Sequence, residues 1–236
     1  MEVDIALGAE SRFELKGAIL VYAGGHLANG AFAAWHEACA SADRAPHLGP
    51  ATPISTNFLR ELSRGLGATT KPEILPDNVV VRTPDMLIWW TPSRRHRMFF
   101  RHDDPLGAVG GRSFPQPALV FKVSSNELWI RALAADKRPT ADTAMMVAPY
   151  YNVNAEGLVC QGSMRSPSEA SVASMLQWEQ SFFDSEFTHI YGGGHFTRHA
   201  ESLVDLWMKL ASAARFPTRT LVPTDETLAQ FVERVR

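Results

Sequence analysis

Between positions 79 and 133 the apolar residues fall in short runs separated by turn-forming clusters. Val79 to Val81, Met86 to Trp90, Met98 to Arg101, Ala118 to Val123 and Glu127 to Leu133 are β-prone. Thr91-Pro92-Ser93, Asp103-Asp104-Pro105 and Ser124-Ser125-Asn126 lie between them. Such runs with hairpin-length gaps predict an antiparallel meander, not alternating strand–helix units. Pro139 to Asp142 breaks the pattern, and an extended stretch is expected from Ala144 to Cys160.

The flanks read differently. Val3 to Leu7 and Phe13 to Tyr22 are expected as strands, with Gly8 to Ser11 turning between them. Phe32, Trp35 and Cys39 recur at helical spacing and predict a short helix with those residues inward. Gly49 to Pro53 is expected as a loop. Ser55 would cap a helix carrying Phe58, Leu59, Leu62 and Leu66, stopped by Gly65 to Gly67. After Cys160, Ser166-Pro167-Ser168-Glu169 combines a capping box with proline at the first helical position. Val172, Met175, Leu176, Trp178 and Phe182 would form that helix's buried stripe. A second helix would hold Leu203, Val204, Trp207 and Leu210. A third would begin near Thr224 and present Leu228, Phe231, Val232 and Val235. The expected class is α+β: a meander, a cysteine-bearing extended segment, then helices. Residues 1–70 are expected as an N-terminal elaboration and 71–236 as the core.

Composition narrows the compartment more than the fold. A net charge of -2 gives no global reason to expect nucleic acid or an acidic membrane as partner. Apolar runs such as Gly17 to Ala23 are too short to span a bilayer. Met1 to Ala9 contains Glu2 and Asp4 and lacks the order of a secretory signal. Two cysteines, Cys39 and Cys160, make a disulfide framework implausible and point to a reducing, cytoplasmic setting.

One segment carries candidate chemistry: Pro149-Tyr150-Tyr151-Asn152-Val153-Asn154-Ala155-Glu156-Gly157-Leu158-Val159-Cys160. It resembles the active-site segment of ubiquitin-conjugating enzymes, in which His-Pro-Asn and a short loop precede Gly, any residue, Ile or Val, and the thioester-forming Cys. Asn152, Gly157, Val159 and Cys160 fall in that register. The family's His-Pro is Tyr150-Tyr151 here, with Pro149 displaced. Trp89-Trp90-Thr91-Pro92, Arg97-Met98-Phe99-Phe100, Arg138-Pro139 and Phe187-Thr188-His189 extend the likeness. Together they resemble PRTRC system protein B, a bacterial family grouped with the ubiquitin-conjugating fold, over roughly Lys16 to Phe216.

The resemblance implies a thiol enzyme in which Cys160 carries a ubiquitin-like protein as a thioester. Such a carrier needs an accessible thiolate, and its oxyanion needs a placed donor, for which Asn152 is the candidate. Gly157 would permit the tight turn that returns the chain toward Asn152. His189 would position or deprotonate the incoming amine, with His195 a weaker alternative. The implied partners are a ThiF-type activating enzyme and a small ubiquitin-like protein, with a JAB-type metallopeptidase as functional neighbour. No metal or organic cofactor is expected at the site.

Blander readings stand beside these. Cys39 reads as core. His195 and His199 stand four apart, as a helical metal pair would, without a third ligand at matching spacing. Gly192 to Gly194 reads as a flexible turn, and His102-Asp103-Asp104 as a solvated turn. Arg94-Arg95-His96-Arg97 is a solvated hairpin tip or a DNA patch, the latter suiting an accessory protein of a plasmid partition system. Trp89 and Trp90 must face opposite sides of a strand, one inward and one open to a partner. Tyr150-Tyr151 motivates a further alternative, a binding module that holds the ubiquitin-like protein without a thioester.

Overall fold

The computed structural model describes residues 15–23, 31–41, 44–65, 73–199 and 202–234. The chain divides into two compact units, Met1–Lys71 and Pro72–Arg236. The expected strand Val3 to Leu7, the turn Gly8 to Ser11, and Leu66, Gly67 and Val235 lie outside the described residues.

In the first unit, β1 (Gly17–Ala23), β2 (Ala31–Ser41) and β3 (Arg44–Pro53) form an antiparallel sheet in that order, followed by α1 (Thr56–Gly65). Two expectations fail here. The helix predicted from Phe32, Trp35 and Cys39 is β2. Seven consecutive pairings with β1 outweigh the helix propensity of its alanines. A spacing of three puts Phe32 and Trp35 on opposite faces of a strand. Phe32 stacks on Tyr22 at 4.7 Å, Trp35 meets Phe58 of α1 at 5.0 Å, and Cys39 is half-exposed instead of core. Gly49 to Pro53, expected as a loop, belongs to the edge strand β3, where proline's missing N–H is tolerated. The Ser55 cap forms as expected, its Oγ accepting from the Phe58 N–H at 3.1 Å.

The second unit contains β4 (Val79–Arg82), β5 (Met86–Thr91), β6 (Arg95–Arg97), β7 (Phe99–Phe100), β8 (Ser113–Pro115), β9 (Ala118–Ser124), β10 (Glu127–Leu133) and β11 (Ala144–Val147). After them come α2 (Met175–Phe183), β12 (Glu186–Phe187), α3 (Leu203–Leu210), β13 (Pro223–Thr227) and α4 (Leu228–Glu233). The main sheet has the order β13-β11-β10-β9-β5-β4, and its pairs are antiparallel. The predicted meander is therefore present, with one excursion. Between β5 and β9 the chain forms the antiparallel pair β6–β8, and β7 pairs in parallel with β12. This mixture of antiparallel sheets and few helices is compatible with the α+β, ubiquitin-conjugating-like class expected from the sequence.

Strand alternation buries both faces of the sheet. Leu87, Trp89, Leu119, Phe121, Val123, Leu128 and Ile130 join the larger core with Trp178, Phe182 and Trp207 of α2 and α3. Ile88, Val120, Trp129 and Leu133 join a second cluster with Leu228 and Phe231 of α4, and Trp90 packs partly buried against it. A polar network ties α2 to the sheet: buried Trp89 Nε1 donates to Glu179 Oε1 at 2.7 Å, and exposed Arg94 pairs with Glu179 Oε2.

Helix boundaries are the main corrections in this unit. Ser166 to Glu169 starts no helix. A capping box of Ser171 and Ser174 opens a 3-10 turn at Val172–Ser174, and α2 begins at Met175. Leu176, placed in its buried stripe, is exposed. The helix expected near Thr224 is preceded by β13 and begins at Leu228, capped by Thr227, whose Oγ1 accepts from Gln230 N–H. Among the described residues no helix is long and apolar enough to cross a membrane.

Candidate functional site

Residues Asn152 to Cys160 form a short hairpin on the edge of β10. Val153 pairs with Val159, and Trp129 of β10 pairs with Leu158. The Gly157 N–H donates to the Asn154 carbonyl at 2.9 Å, and Asn154 N–H to the Leu158 carbonyl at 3.0 Å. The Asn154 side chain tightens the turn, its Oδ1 accepting from Leu158 N–H at 2.8 Å. Gly157 has φ of 93°, and a Cβ there would lie 2.6 Å from the Ile130 carbonyl oxygen. Only glycine turns and approaches β10 in this way. The hairpin closes where Cys160 N–H donates to the Asn152 carbonyl at 2.7 Å. Cys160, a half-buried residue with a free thiol, stands at that closure.

Asn152 connects the hairpin to a third strand. Its N–H donates to the His189 carbonyl at 2.9 Å, while its own carbonyl serves Cys160. An extended residue points N–H and C=O to one side; the φ of 60° at Asn152 lets them serve different neighbours. The side chain is nearly buried and bonded: Nδ2 donates to the Glu186 carbonyl at 2.8 Å. Oδ1 accepts from Thr188 N–H at 3.2 Å and from Thr188 Oγ1 at 3.1 Å. One Nδ2 N–H is thereby used and the other is left for a further acceptor. His189 is exposed, with Nδ1 2.9 Å from Thr188 Oγ1 and its ring 6.2 Å from that of Tyr191. The structure thus brings Asn152 between Cys160 and His189 through backbone bonds.

The Tyr150-Tyr151 pair anchors the hairpin's base. Tyr150 is fully buried among Phe182, Phe183, Phe187 and Trp207, and its hydroxyl donates to Gln116 Oε1 at 2.8 Å. Tyr151 packs edge-on to Phe100, and Trp207 Nε1 donates to the Pro149 carbonyl at 2.8 Å. Burial raises the Tyr150 hydroxyl's pKa well above its usual value, so it stays a donor. Burial, and secondarily Asp104, pushes Tyr151 to about 12. Beyond Cys160, Ser163 Oγ accepts from the Glu186 N–H at 3.1 Å. A polar groove of about 730 Å³ opens there, lined by Ser163, Arg165, Gln177, Gln180, Asp184 and Glu186 among others. Gly192 and Gly194 approach the hairpin tip at Asn154 and Ala155.

A sequence model of prokaryotic E2 family D matches residues 58–224. The chain belongs to that family. Comparison with curated proteins and with solved structures finds no match. The family D match spans the whole hairpin, Asn152 and Cys160 included, as well as β12 and His189.

Other candidates fall away from this site or take structural roles. His195 and His199 lie in irregular chain and do not form the helical pair that a metal would need. Among the described residues no three His, Cys, Asp or Glu side chains cluster as metal ligands. Arg94 is paired with Glu179, Arg95 donates to the Ala213 and Ser113 carbonyls, and Arg97 donates to the Gly111 carbonyl. His96 stacks on Phe183 at 3.8 Å; burial, then Arg94, lowers its pKa from 6.5 to about 4. His102 and Asp103 are exposed, as expected for a turn. Sequence reasoning missed Thr188, which bonds Asn152 and adjoins the resembling His189, and it missed Arg131 and Arg234, which donate to the Ala155 and Glu156 carbonyls and share Glu226. Those three charged residues are spread over 104 positions and carry no local signal.

Proposed function

We propose that this protein is a ubiquitin-conjugating-like transferase with Cys160 as its thioester carrier. Membership in an E2 family supports conjugation in general. The observation that carries the finer reading is the Asn152–Cys160 hairpin, which returns a free thiol to the asparagine through a turn that only glycine fits.

In this reading the Cys160 thiolate attacks the thioester carbonyl of a ubiquitin-like protein held on a ThiF-type activating enzyme. A new C–S bond forms and the activating enzyme's thiolate leaves. An acceptor amine then attacks, its C–N bond replacing the Cys160 C–S bond. The remaining Nδ2 N–H of Asn152 steadies the oxyanion, and His189 takes the amine proton at Nε2, since Nδ1 is engaged with Thr188. The step uses only side chains; ATP is consumed earlier by the activating enzyme. The reading extends to a cytoplasmic PRTRC system with a JAB-type metallopeptidase as neighbour, on the sequence resemblance alone.

A second reading, a binding module that forms no thioester, is favoured by the bonds of the Asn152 amide to Glu186 and Thr188. The DNA-accessory alternative is weakened because Arg94, Arg95 and Arg97 are engaged with protein groups. A charging assay with the activating enzyme, the ubiquitin-like protein and ATP separates the first two. The expected result is a reductant-sensitive adduct, absent in Cys160→Ala and reductant-resistant in Cys160→Ser. A normally charged activating enzyme with no adduct on this protein would overturn the transferase reading and leave the binding module.

A further inference from the structure

The hairpin is gripped a second time, at its tip, by charged groups from distant parts of the chain. Arg131 of β10 is buried; its Nε and Nη2 reach Glu226 Oε2 at 3.1 Å, and Nη1 donates to the Ala155 carbonyl at 2.6 Å. Arg234, just past α4, donates from Nη1 to the Glu156 carbonyl at 2.6 Å and pairs through Nη2 with Glu226 Oε1. One carboxylate of β13 therefore holds two guanidinium groups, and each guanidinium holds one carbonyl of the tip. Both carbonyls lie between Asn154 and Gly157, in the turn that sets how Cys160 returns to Asn152.

A largely buried charge cluster, with Arg131 inside and Arg234 partly exposed, is a poor device for stability alone. Desolvation offsets most of the attraction, and an apolar replacement is often neutral or better. Burial lowers the Arg131 pKa and Glu226 raises it again, which describes such a balance. What the cluster does supply is direction. Guanidinium groups fix donors in a rigid fork, and these forks point at the two carbonyls that define the turn. The rings beneath them, Phe231 at 5.9 Å from Arg131 and Trp129 at 5.7 Å from Arg234, hold the forks in place.

We infer that Arg131 and Arg234, joined through Glu226, are positioning residues that set the geometry of the Cys160 hairpin and couple it to β13 and α4. For its effect on turnover this rests on the transferase reading; for its effect on the hairpin it does not. Arg234→Ala is the first variant, because Arg234 is partly exposed and Arg131 still neutralises Glu226 after its loss. Glu226→Gln is the second; it removes the charge that pairs with both forks and replaces one of the two acceptor oxygens with a donor amide.

Hydrogen exchange on the protein alone reads the clamp. Amides at Gly157, Leu158 and Cys160 are expected to exchange about tenfold faster in both variants, with β9–β10 ladder amides unchanged. Wild-type exchange at those three amides in both variants would overturn the clamp. Single-turnover discharge of the charged protein to varied concentrations of lysine reads the consequence. The maximal rate is expected to fall about tenfold, with the half-saturating amine concentration nearly unchanged. Wild-type discharge from a hairpin shown to be loosened would overturn the role in catalysis. Should the wild type never charge, the transferase reading fails by itself, and the exchange rates still decide whether the clamp holds.

Discussion

Gly157→Ala perturbs the turn of the site hairpin at a single atom. An alanine at φ of 93° is outside the regions that L-residues favour, which costs about 1–2 kcal/mol. The added Cβ would also meet the Ile130 carbonyl oxygen at 2.6 Å, a backbone atom of β10 that no rotamer change can move aside. Relieving that contact must lengthen or break the bond from Ile130 N–H to the Gly157 carbonyl, now 2.8 Å, at a further cost of about 1 kcal/mol. Together these give about 2–3 kcal/mol, or roughly a 30- to 150-fold shift toward an opened hairpin. Hydrogen exchange at the 152–160 amides measures the opening, and urea unfolding measures how much of the cost reaches the whole fold. Gly192→Ala is the control. Its φ of 78° imposes similar strain, but its nearest atom is Asn154 Cβ at an ordinary 3.6 Å. Less than a threefold change in exchange for Gly157→Ala, or equal effects of the two alanines, would refute the account of the turn.

Two further predictions concern the hairpin's surroundings. Tyr150→Phe removes a hydroxyl from a buried bond to Gln116 and leaves Oε1 without that donor, so unfolding stability should fall by about 1–3 kcal/mol; a loss under about 0.5 kcal/mol would show that the bond is not holding the hairpin's base. His96, with a folded-state pKa lowered from 6.5 to about 4, takes up its proton in the unfolded chain first. Its contribution is therefore complete above pH 6.5 and is lost as pH falls through the window down to 4, by on the order of 1–2 kcal/mol after discounting the half-buried ring for solvent screening. Urea unfolding of His96→Phe, which keeps an aromatic ring against Phe183, should show a flatter decline over that window, and parallel wild-type and variant curves would contradict the assignment.

The strand runs, the cysteine segment and the α3 helix were legible because each is specified by neighbours in sequence. Glu127 to Leu133 is a strand over the predicted residues, and Leu203, Val204, Trp207 and Leu210 share α3. Asn152, Gly157 and Cys160 were legible as a spacing, and the positive φ at Gly157 is a local demand that its residue type announces. Where prediction failed, a distant partner outvoted local preference. The alanine-rich Ala31–Ser41 is a strand because β1 pairs with it, and the prolines of β3 are tolerated because that strand is an edge.

By itself, then, the sequence determined the period of each core strand, the spacing from Asn152 to Cys160, and the need for glycine at 157, all set within a few residues. Only the tertiary structure decided that Lys122 of β9 and Arg131 of β10 are buried. α4 covers that face: Lys122 Nζ donates to the Phe231, Val232 and Arg234 carbonyls at 2.8, 3.1 and 2.7 Å, and Arg131 joins Glu226 to the hairpin tip. The same holds for Asn152, whose amide is bonded to β12 and Thr188 across more than thirty residues of intervening chain. A hydrophobic pattern records which positions avoid water, but not which charges will find partners inside. That depends on elements far apart in sequence arriving at one place.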